Sequence, residues 1–208
     1  PASAEPGKAF TSVTYSNLYF REPESRADQT RMMSIVTTGA ETGYYVDVFR
    51  SRKEKGGDKM HDYFYHNLGQ TLTLTAADGS DLNLQPTEEL AFAGAHLYAY
   101  SYLYDKKVAA TAKDVKATFT IDMKDKDGDD IYMNLWMKGE PDREVFTALA
   151  PMTEGLSRTP NMPYNIKEQP TLTFVARQHG EAWNRLLFSP SLTLMQKEQV
   201  WKTLPVSV

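Results

Sequence analysis

Residues 115–123 have the sequence Val-Lys-Ala-Thr-Phe-Thr-Ile-Asp-Met, and residues 131–137 have the sequence Ile-Tyr-Met-Asn-Leu-Trp-Met. Apolar side chains recur at every second position in both segments, and this period of two is typical of strands with one buried and one solvated face. An Asp127-Gly128 step lies between the segments, and Asp-Gly is a strong signal for a tight hairpin turn. We therefore predict that Val115–Met123 and Ile131–Met137 form an antiparallel hairpin.

The same period recurs along most of the chain, which is rich in threonine and contains 12 tyrosines. These residue types favour strands over helices. Many short strands joined by turns predict an all-β fold, an antiparallel β-sandwich of the supersandwich type with few or no helices. The predicted strands are residues 10–20, 31–38, 43–50, 60–66, 70–76, 81–85, 95–104, 115–123, 130–138, 143–149, 171–177, 182–188 and 191–202.

The connections between these strands carry weaker signals. A second Asp-Gly step, Asp78-Gly79, predicts a hairpin that joins residues 70–75 to residues 81–84. Residues 150–170 contain four prolines and predict an irregular loop, which is long enough to form a binding rim or a flap. The two segments with short helical signals are residues 85–93 and 108–116.

The composition of the 208-residue chain excludes several function classes. It has 23 Lys+Arg against 27 Asp+Glu, which gives a formal net charge of −4, and it has no cysteine. The lack of cysteine excludes disulfide scaffolds, thiolate metal sites and cysteine nucleophiles. The mildly acidic balance argues against a nucleic-acid partner, and no apolar run is long enough to predict a membrane span. We predict a linker at residues 1–9 and a single β-sandwich domain at residues 10–208.

An acidic segment, Asp122–Asp130, has five carboxylates within nine residues. A calcium loop of the helix–loop–helix kind requires a glutamate at its twelfth position, but that position, counted from Asp125, is Trp136. We interpret the segment as a solvated hairpin tip, and we predict no metal site and no cofactor.

A histidine-rich strand supplies the candidate catalytic residues. Alternation places His61, Tyr63 and Tyr65 on one face of residues 60–66, and Asp62, Phe64 and His66 on the other. An imidazole and a phenol about 7 Å apart on one face are plausible acid and base groups for a sugar substrate, so His61, Tyr63 and His66 are weak catalytic candidates. The alternative is that His61 and Tyr63 belong to a structural polar cross-strand ladder, with Asp47 or Arg50 opposite.

A second feature is the segment from Gly94 to Tyr104, in which every even position from residue 96 is aromatic or histidine. On one strand these side chains form an aromatic stripe about 27 Å long, whose rings can stack on sugars. The alternative is that the stripe packs on a second sheet or on a partner domain. The stripe consists of His96, Tyr98, Tyr100, Tyr102 and Tyr104.

Known catalytic templates contribute nothing further. The sequence has no G-x-S-x-G elbow, no phosphate loop, no dinucleotide fingerprint and no H-E-x-x-H element. Arg50, Arg52 and Lys53 form a basic turn that can contact uronate or sulfate groups, and Arg50 joins the stripe as a substrate-binding candidate. The alternative is that this basic turn is exposed to solvent and has no binding role.

Two blocks of sequence resemble the β-sandwich part of the heparinase II/III-like polysaccharide lyases. The first block comprises Arg31-Met32-Met33, Tyr44-Tyr45-Val46-Asp47-Val48-Phe49-Arg50, Gly56-Gly57 and His61-Asp62-Tyr63-x-x-His66. The second block is Phe174-Val175-Ala176-Arg177-x-x-Gly180-Glu181-Ala182-Trp183. The resemblance implies an enzyme in which a helical toroid and an antiparallel sandwich enclose a cleft. Such enzymes cleave uronic-acid polysaccharides by β-elimination with Tyr/His acid–base chemistry.

The sequence departs from that family at the residues that carry activity. The H-x-H element and the later His-Asn element of the family are not found, and there is no segment that corresponds to the toroid. The leading hypothesis is therefore a sandwich domain that is not catalytic alone and that binds or positions an acidic polysaccharide. The alternatives are a lyase and a purely structural domain that docks on a toroid of the same precursor. We predict a periplasmic or extracellular location, with which the lack of cysteine is compatible.

Overall fold

The computed structural model describes residues 2–3, 12–23, 25–40, 42–53, 58–92, 95–123, 130–153, 169–180 and 184–193. These ranges contain thirteen strands and one 3-10 helix, Ala95–Tyr102. All strand pairs are antiparallel and form two sheets, so the prediction of an all-β antiparallel sandwich is confirmed. Within the same ranges, none of the helical structure is long and apolar enough to cross a membrane.

The strands are numbered in chain order. They are β1 (Ala2–Ser3), β2 (Val13–Arg21), β3 (Ala27–Thr37), β4 (Gly43–Lys53), β5 (Lys59–Asn67), β6 (Thr71–Ala76), β7 (Gln85–Pro86), β8 (Tyr104–Ala110), β9 (Val115–Ile121), β10 (Ile131–Met137), β11 (Glu144–Ala150), β12 (Thr171–Gly180) and β13 (Asn184–Thr193).

The larger sheet has eight strands in the order β1-β2-β3-β4-β13-β10-β9-β6, and the smaller sheet has five in the order β5-β12-β11-β8-β7. The predicted hairpin of β9 and β10 is confirmed, with Phe119 opposite Met133. Its turn, residues 124–129, lies outside the described residues, as does most of the predicted loop at 150–170.

Strand β13 joins two parts of the larger sheet. Its first half pairs with β4, from Asn184 opposite Ser51 to Phe188 opposite Asp47. Its second half pairs with β10, from Phe188 opposite Met137 onward. Phe188 is therefore the one position of β13 that pairs on both sides, and β4 has no β13 partner in the register before Asp47.

The main core lies between the two sheets, where the alternating apolar side chains face one another. Burial of these side chains is the principal stabilising term for such a sandwich. A second, smaller core lies on the outer face of the five-stranded sheet, beneath the segment that contains the 3-10 helix, so β12 is buried on both faces. The buried members of the main core are Tyr63, Leu74, Ala109, Val115, Ala117, Phe119, Leu135, Met137, Val145, Leu172, Phe174 and Ala176.

Several local predictions were wrong. Residues 108–116 are not helical, since they lie in β8, its connection and the start of β9, and residues 85–92 contain the short strand β7 and no helix. The Asp78-Gly79 turn exists, with Gly79 at a φ of 86°, but β6 pairs with β9 and not with residues 81–84. The two strands predicted at the C-terminal end are one continuous strand, β13, over the part that the structure describes.

The predicted linker is described at two residues only. Ala2 and Ser3 form β1 at the edge of the larger sheet, opposite Asn17 and Ser16 of β2. The division into a linker at 1–9 and one domain at 10–208 stays a prediction.

Candidate functional site

Strand β5 presents its candidate side chains on two faces, as predicted. Tyr63 faces the larger sheet, where its ring lies 5.9 Å from that of Phe49. Phe64 faces the opposite side, where its ring meets Tyr100 edge-on at 5.2 Å. The two histidines of β5 therefore point to opposite faces, and they do not share a site.

Tyr63 belongs to a polar network that spans the two sheets. Its hydroxyl donates a 3.0 Å hydrogen bond to Oδ2 of Asp47 in β4. Arg31 of β3 donates from Nε to both oxygens of the same carboxylate at 3.0 Å. The Arg31 side chain is 43% exposed whereas that of Asp47 is 5% exposed, so the network runs from solvent into the core. Tyr63 is therefore a structural partner of Asp47. The contact crosses the sandwich, and the predicted cross-strand ladder is wrong, because β4 and β5 lie in different sheets and β5 pairs with β12.

The surroundings of Tyr63 keep its proton in place. Burial raises the pKa of its phenol well above the usual value, and the negative charge of Asp47 raises it further. The hydrogen bond to Asp47 is the main cause that raises the pKa of Arg31. A phenol held in this way is a fixed hydrogen-bond donor, and it is a poor general base.

His61 is also buried between the sheets. Its Nδ1 lies 3.1 Å from Oγ of Ser51 in β4, and burial lowers the pKa of its imidazole. The side chain is therefore neutral near pH 7 and makes a polar contact inside the sandwich. A substrate bound at the surface does not reach it in this arrangement.

His66 is the exposed member of the three catalytic candidates. Its Nδ1 lies 2.9 Å from Oγ1 of Thr173, and its ring stacks on Phe64 at 5.9 Å. Desolvation by this packing lowers the pKa of the imidazole. His66 lies on the outer face of the five-stranded sheet, away from His61 and Tyr63, so the structure does not bring the three candidates together.

The aromatic stripe is not a strand, and this prediction was wrong. Residues 95–102 form a 3-10 helix with about three residues per turn, so side chains two residues apart do not share a face. Tyr100 and Leu103 are three residues apart and both pack in the smaller core. Tyr98 and Tyr102 are exposed and meet edge-on with ring centroids 6.3 Å apart.

The remaining residues of the predicted stripe lie in different environments. Tyr104 begins β8 and is exposed, and the His96 side chain lies outside the described part of the structure. Tyr100 donates a 2.7 Å hydrogen bond to Oδ2 of Asp62, and burial raises the pKa of its phenol. Tyr100 is therefore an anchor that fixes the 3-10 helix to β5.

Sequence reasoning missed the ion pair beneath this helix. Arg177 of β12 donates from Nε and Nη2 to the two oxygens of Asp62 at 2.8 and 2.9 Å. Its Nη1 donates to Glu89 at 2.9 Å, and its guanidinium lies 5.2 Å above the Phe146 ring. The β5–β12 register places Arg177 opposite Asp62, and no local sequence signal reveals that register.

A cavity of about 390 Å³ lies beside the Tyr63 network. It is adjacent to the part of β4 that has no β13 partner. Burial raises the pKa of Tyr65, which lines it. The lining is mainly apolar, with one charged pair at one side, and includes Arg31, Met33, Asp47, Tyr65, Phe119, Ile121, Ile131 and Met133.

The predicted basic turn is wrong, because Arg50, Arg52 and Lys53 all lie in strand β4. Arg50, the basic substrate-binding candidate, lies on the face of β4 opposite to Asp47 and Ser51. It is half-buried, and its Nε is buried without a hydrogen-bond partner among the described residues. Over the same residues, no group of three or more histidine, aspartate or glutamate side chains is arranged to hold a metal ion. The acidic hairpin tip is outside that range.

Fold and networks together define an antiparallel β-sandwich whose histidine and tyrosine candidates mostly serve the packing of its sheets. The chain is similar to an endo-acting ulvan lyase of Formosa agariphila, with 31% identity over 185 residues. The match covers 86% of this chain and 21% of the lyase, so the chain spans about a fifth of that relative's length. No protein-family model matches the chain. The resemblance to polysaccharide lyases is confirmed at this general level.

Proposed function

We propose that this chain is the β-sandwich domain of a heparinase II/III-like polysaccharide lyase and that it binds or positions an acidic, uronic-acid polysaccharide without cleaving it alone. The observation that carries the proposal is the similarity to an ulvan lyase along most of the chain. The same similarity supports action on polysaccharides outside the cytoplasm, in the periplasm or the extracellular space.

The geometry of the candidate residues supports a non-catalytic role. β-Elimination requires a base at the proton beside the uronate carboxyl and an acid at the leaving oxygen, both within hydrogen-bond reach of the substrate. His61 and Tyr63 are buried and engaged with Ser51 and Asp47. His66 is exposed, but it lies on the other side of the five-stranded sheet from both.

The test incubates the purified chain with ulvan, alginate, heparin, chondroitin and hyaluronan and follows the ultraviolet absorbance of the unsaturated uronide. We expect no increase with any of them. An increase that Tyr63→Phe or His66→Gln abolishes overturns the non-catalytic role and establishes the lyase alternative. Native gels cast with the same polysaccharides form the second arm. We expect retardation in at least one acidic gel and none in a neutral dextran gel.

A second role is favoured by the inner face of β2 and β3, which extends beyond the narrower five-stranded sheet. Large apolar side chains there are about half exposed in the described structure, namely Leu18, Phe20, Met33 and Ile35. We propose that this face docks the helical toroid domain that the family resemblance implies. Supplying that domain in trans is expected to raise the melting temperature of the chain. A gain that persists in a Leu18→Ser/Phe20→Ser variant contradicts this role.

A further inference from the structure

The outer face of β4 is identified by what its inner face contacts. Asp47, Phe49 and Ser51 all meet side chains of β5 across the sandwich. Because side chains alternate along a strand, Arg50 and Arg52 face the other way. Within the described chain, this outer face of the eight-stranded sheet has no second sheet packed on it.

The strand register gathers further residues on this outer face. In an antiparallel pair, directly opposite residues share a face. Arg52 is opposite Asp28 of β3, which is opposite Arg21 of β2. In the adjacent row Arg50 is opposite Thr30, which is opposite Tyr19. We call Tyr19, Arg21, Asp28, Arg50 and Arg52 the basic face.

The basic face is small and positively charged. Adjacent strands are about 4.8 Å apart and adjacent rows on one face are about 7 Å apart, so its backbone positions lie within a patch about 10 Å across. It contains three arginines and one aspartate, although the whole chain has a net charge of −4.

Three side chains of the basic face, namely Tyr19, Arg21 and Arg52, are exposed, whereas Asp28 and Arg50 are half-buried. Tyr19 is 62% exposed, and its hydroxyl donates a 2.5 Å hydrogen bond to Asp28, which fixes the ring on the sheet. Arg21 and Arg52 are also exposed. A fixed tyrosine ring offers an apolar surface for a sugar, and guanidinium groups recognise carboxylate and sulfate oxygens with paired hydrogen bonds.

We propose that the basic face is the binding surface for the acidic polysaccharide, with the exposed Arg21 and Arg52 paired to its anionic groups and Tyr19 packed on a sugar ring. This inference rests on the proposed function. The competing surface is the exposed pair Tyr98 and Tyr102 on the 3-10 helix. Residues 95–105 contain no lysine or arginine, so that pair has no cation on its own segment to meet a polyanion.

The experiment measures the dissociation constant for ulvan and for heparin by gel retardation at low ionic strength. The variants are Arg21→Gln/Arg52→Gln and Tyr19→Ala. The charge-matched control is Lys113→Gln/Lys116→Gln, which removes two exposed positive charges elsewhere. The aromatic control is Tyr98→Ala/Tyr102→Ala. Thermal unfolding of each variant verifies that it is folded.

We expect Arg21→Gln/Arg52→Gln to bind about 2–30-fold more weakly, because each exposed ion pair contributes as much as a surface salt bridge. Tyr19→Ala is expected to weaken binding as well, while both controls bind as the wild type does. Equal weakening by the two charge-removing variants, or loss in the aromatic control alone, overturns the basic face and leaves the proposed function intact. Failure of the wild-type chain to bind any acidic polysaccharide overturns the proposed function itself.

Discussion

Replacement of Asp62 by alanine tests the ion pair beneath the 3-10 helix. The Arg177 and Asp62 side chains are 8% and 10% exposed, and removal of one partner from a buried pair costs about 3–5 kcal/mol because the other charge is left without compensation. Glu89 still contacts Arg177 but is 48% exposed, so it compensates only in part. Tyr100 loses its acceptor at the same time. We expect the free energy of unfolding to fall by about 3–5 kcal/mol.

The assay is thermal and urea unfolding followed by circular dichroism. For a chain of this size, 1 kcal/mol corresponds to about 2–4 °C, so the Asp62→Ala variant is expected to melt about 6–20 °C lower. The matched control is Asp58→Ala, which removes a carboxylate that is 64% exposed and lies 3.4 Å from His179. Its cost is expected to be at most about 1 kcal/mol. Equal melting temperatures for the two variants refute the assignment of Asp62 and Arg177 as a buried stabilising pair.

Three further predictions concern the sandwich itself. Burial lowers the pKa of His61, so the unfolded chain binds a proton that the folded chain does not, and the free energy of unfolding is highest above the unfolded pKa of about 6.5 and falls as the pH drops below it. Urea unfolding at pH 5 and at pH 7.5 measures the difference in free energy of unfolding between the two pH values. If His61→Gln shows the same difference as the wild type, the assignment to His61 is contradicted. Gly69→Ala places Cβ 2.5 Å from the Thr120 carbonyl oxygen at a φ of 143°. It is expected to lower the free energy of unfolding more than Gly79→Ala, where φ is 86° and the space is open, so that only the backbone conformation costs about 1–2 kcal/mol. Equal urea midpoints for the two variants argue against the clash at Gly69. Tyr63→Phe is expected to cost about 1–3 kcal/mol, because it removes one hydrogen bond to a buried carboxylate, and an unfolding midpoint equal to that of the wild type is the contrary result.

Alternation along the chain predicts the sandwich where one face of a strand is buried and the other is not. Strands β9 and β10 meet that condition, because Ala117, Phe119 and Leu135 are buried while Lys116 is exposed. The two faces of β5 are predicted for the same reason. The contact of Tyr63 with Asp47 forms across the sandwich and not in the predicted cross-strand ladder, because β4 and β5 lie in different sheets. Alternation of buried and exposed faces can be predicted from the sequence of a single strand.

Alternation in sequence does not predict the structure of the aromatic segment, because burial there does not follow a period of two. Between residues 95 and 104 the aromatic residues alternate in sequence, but Tyr100 is half-buried while Tyr98 and Tyr102 are exposed. Alternation in residue type therefore does not correspond to alternation in burial. The contacts of Arg177 were also beyond the sequence, because its partner Asp62 lies 115 positions away and only the β5–β12 register brings them together.

The position of β13 in the larger sheet has a consequence for the order in which the chain folds. Strands β2, β3 and β4 pair with their sequence neighbours and require only short loops to close. Their backbone connection to β10 and β9 passes through β13, near the other end of the described chain. Closure of such a long loop is slow, because its entropy is lost before the pairing is gained. During synthesis, β2 to β4 can therefore pack on β5 through Asp47, Phe49 and Ser51 before β13 is made, but their backbone pairing with the rest of the eight-stranded sheet waits for β13.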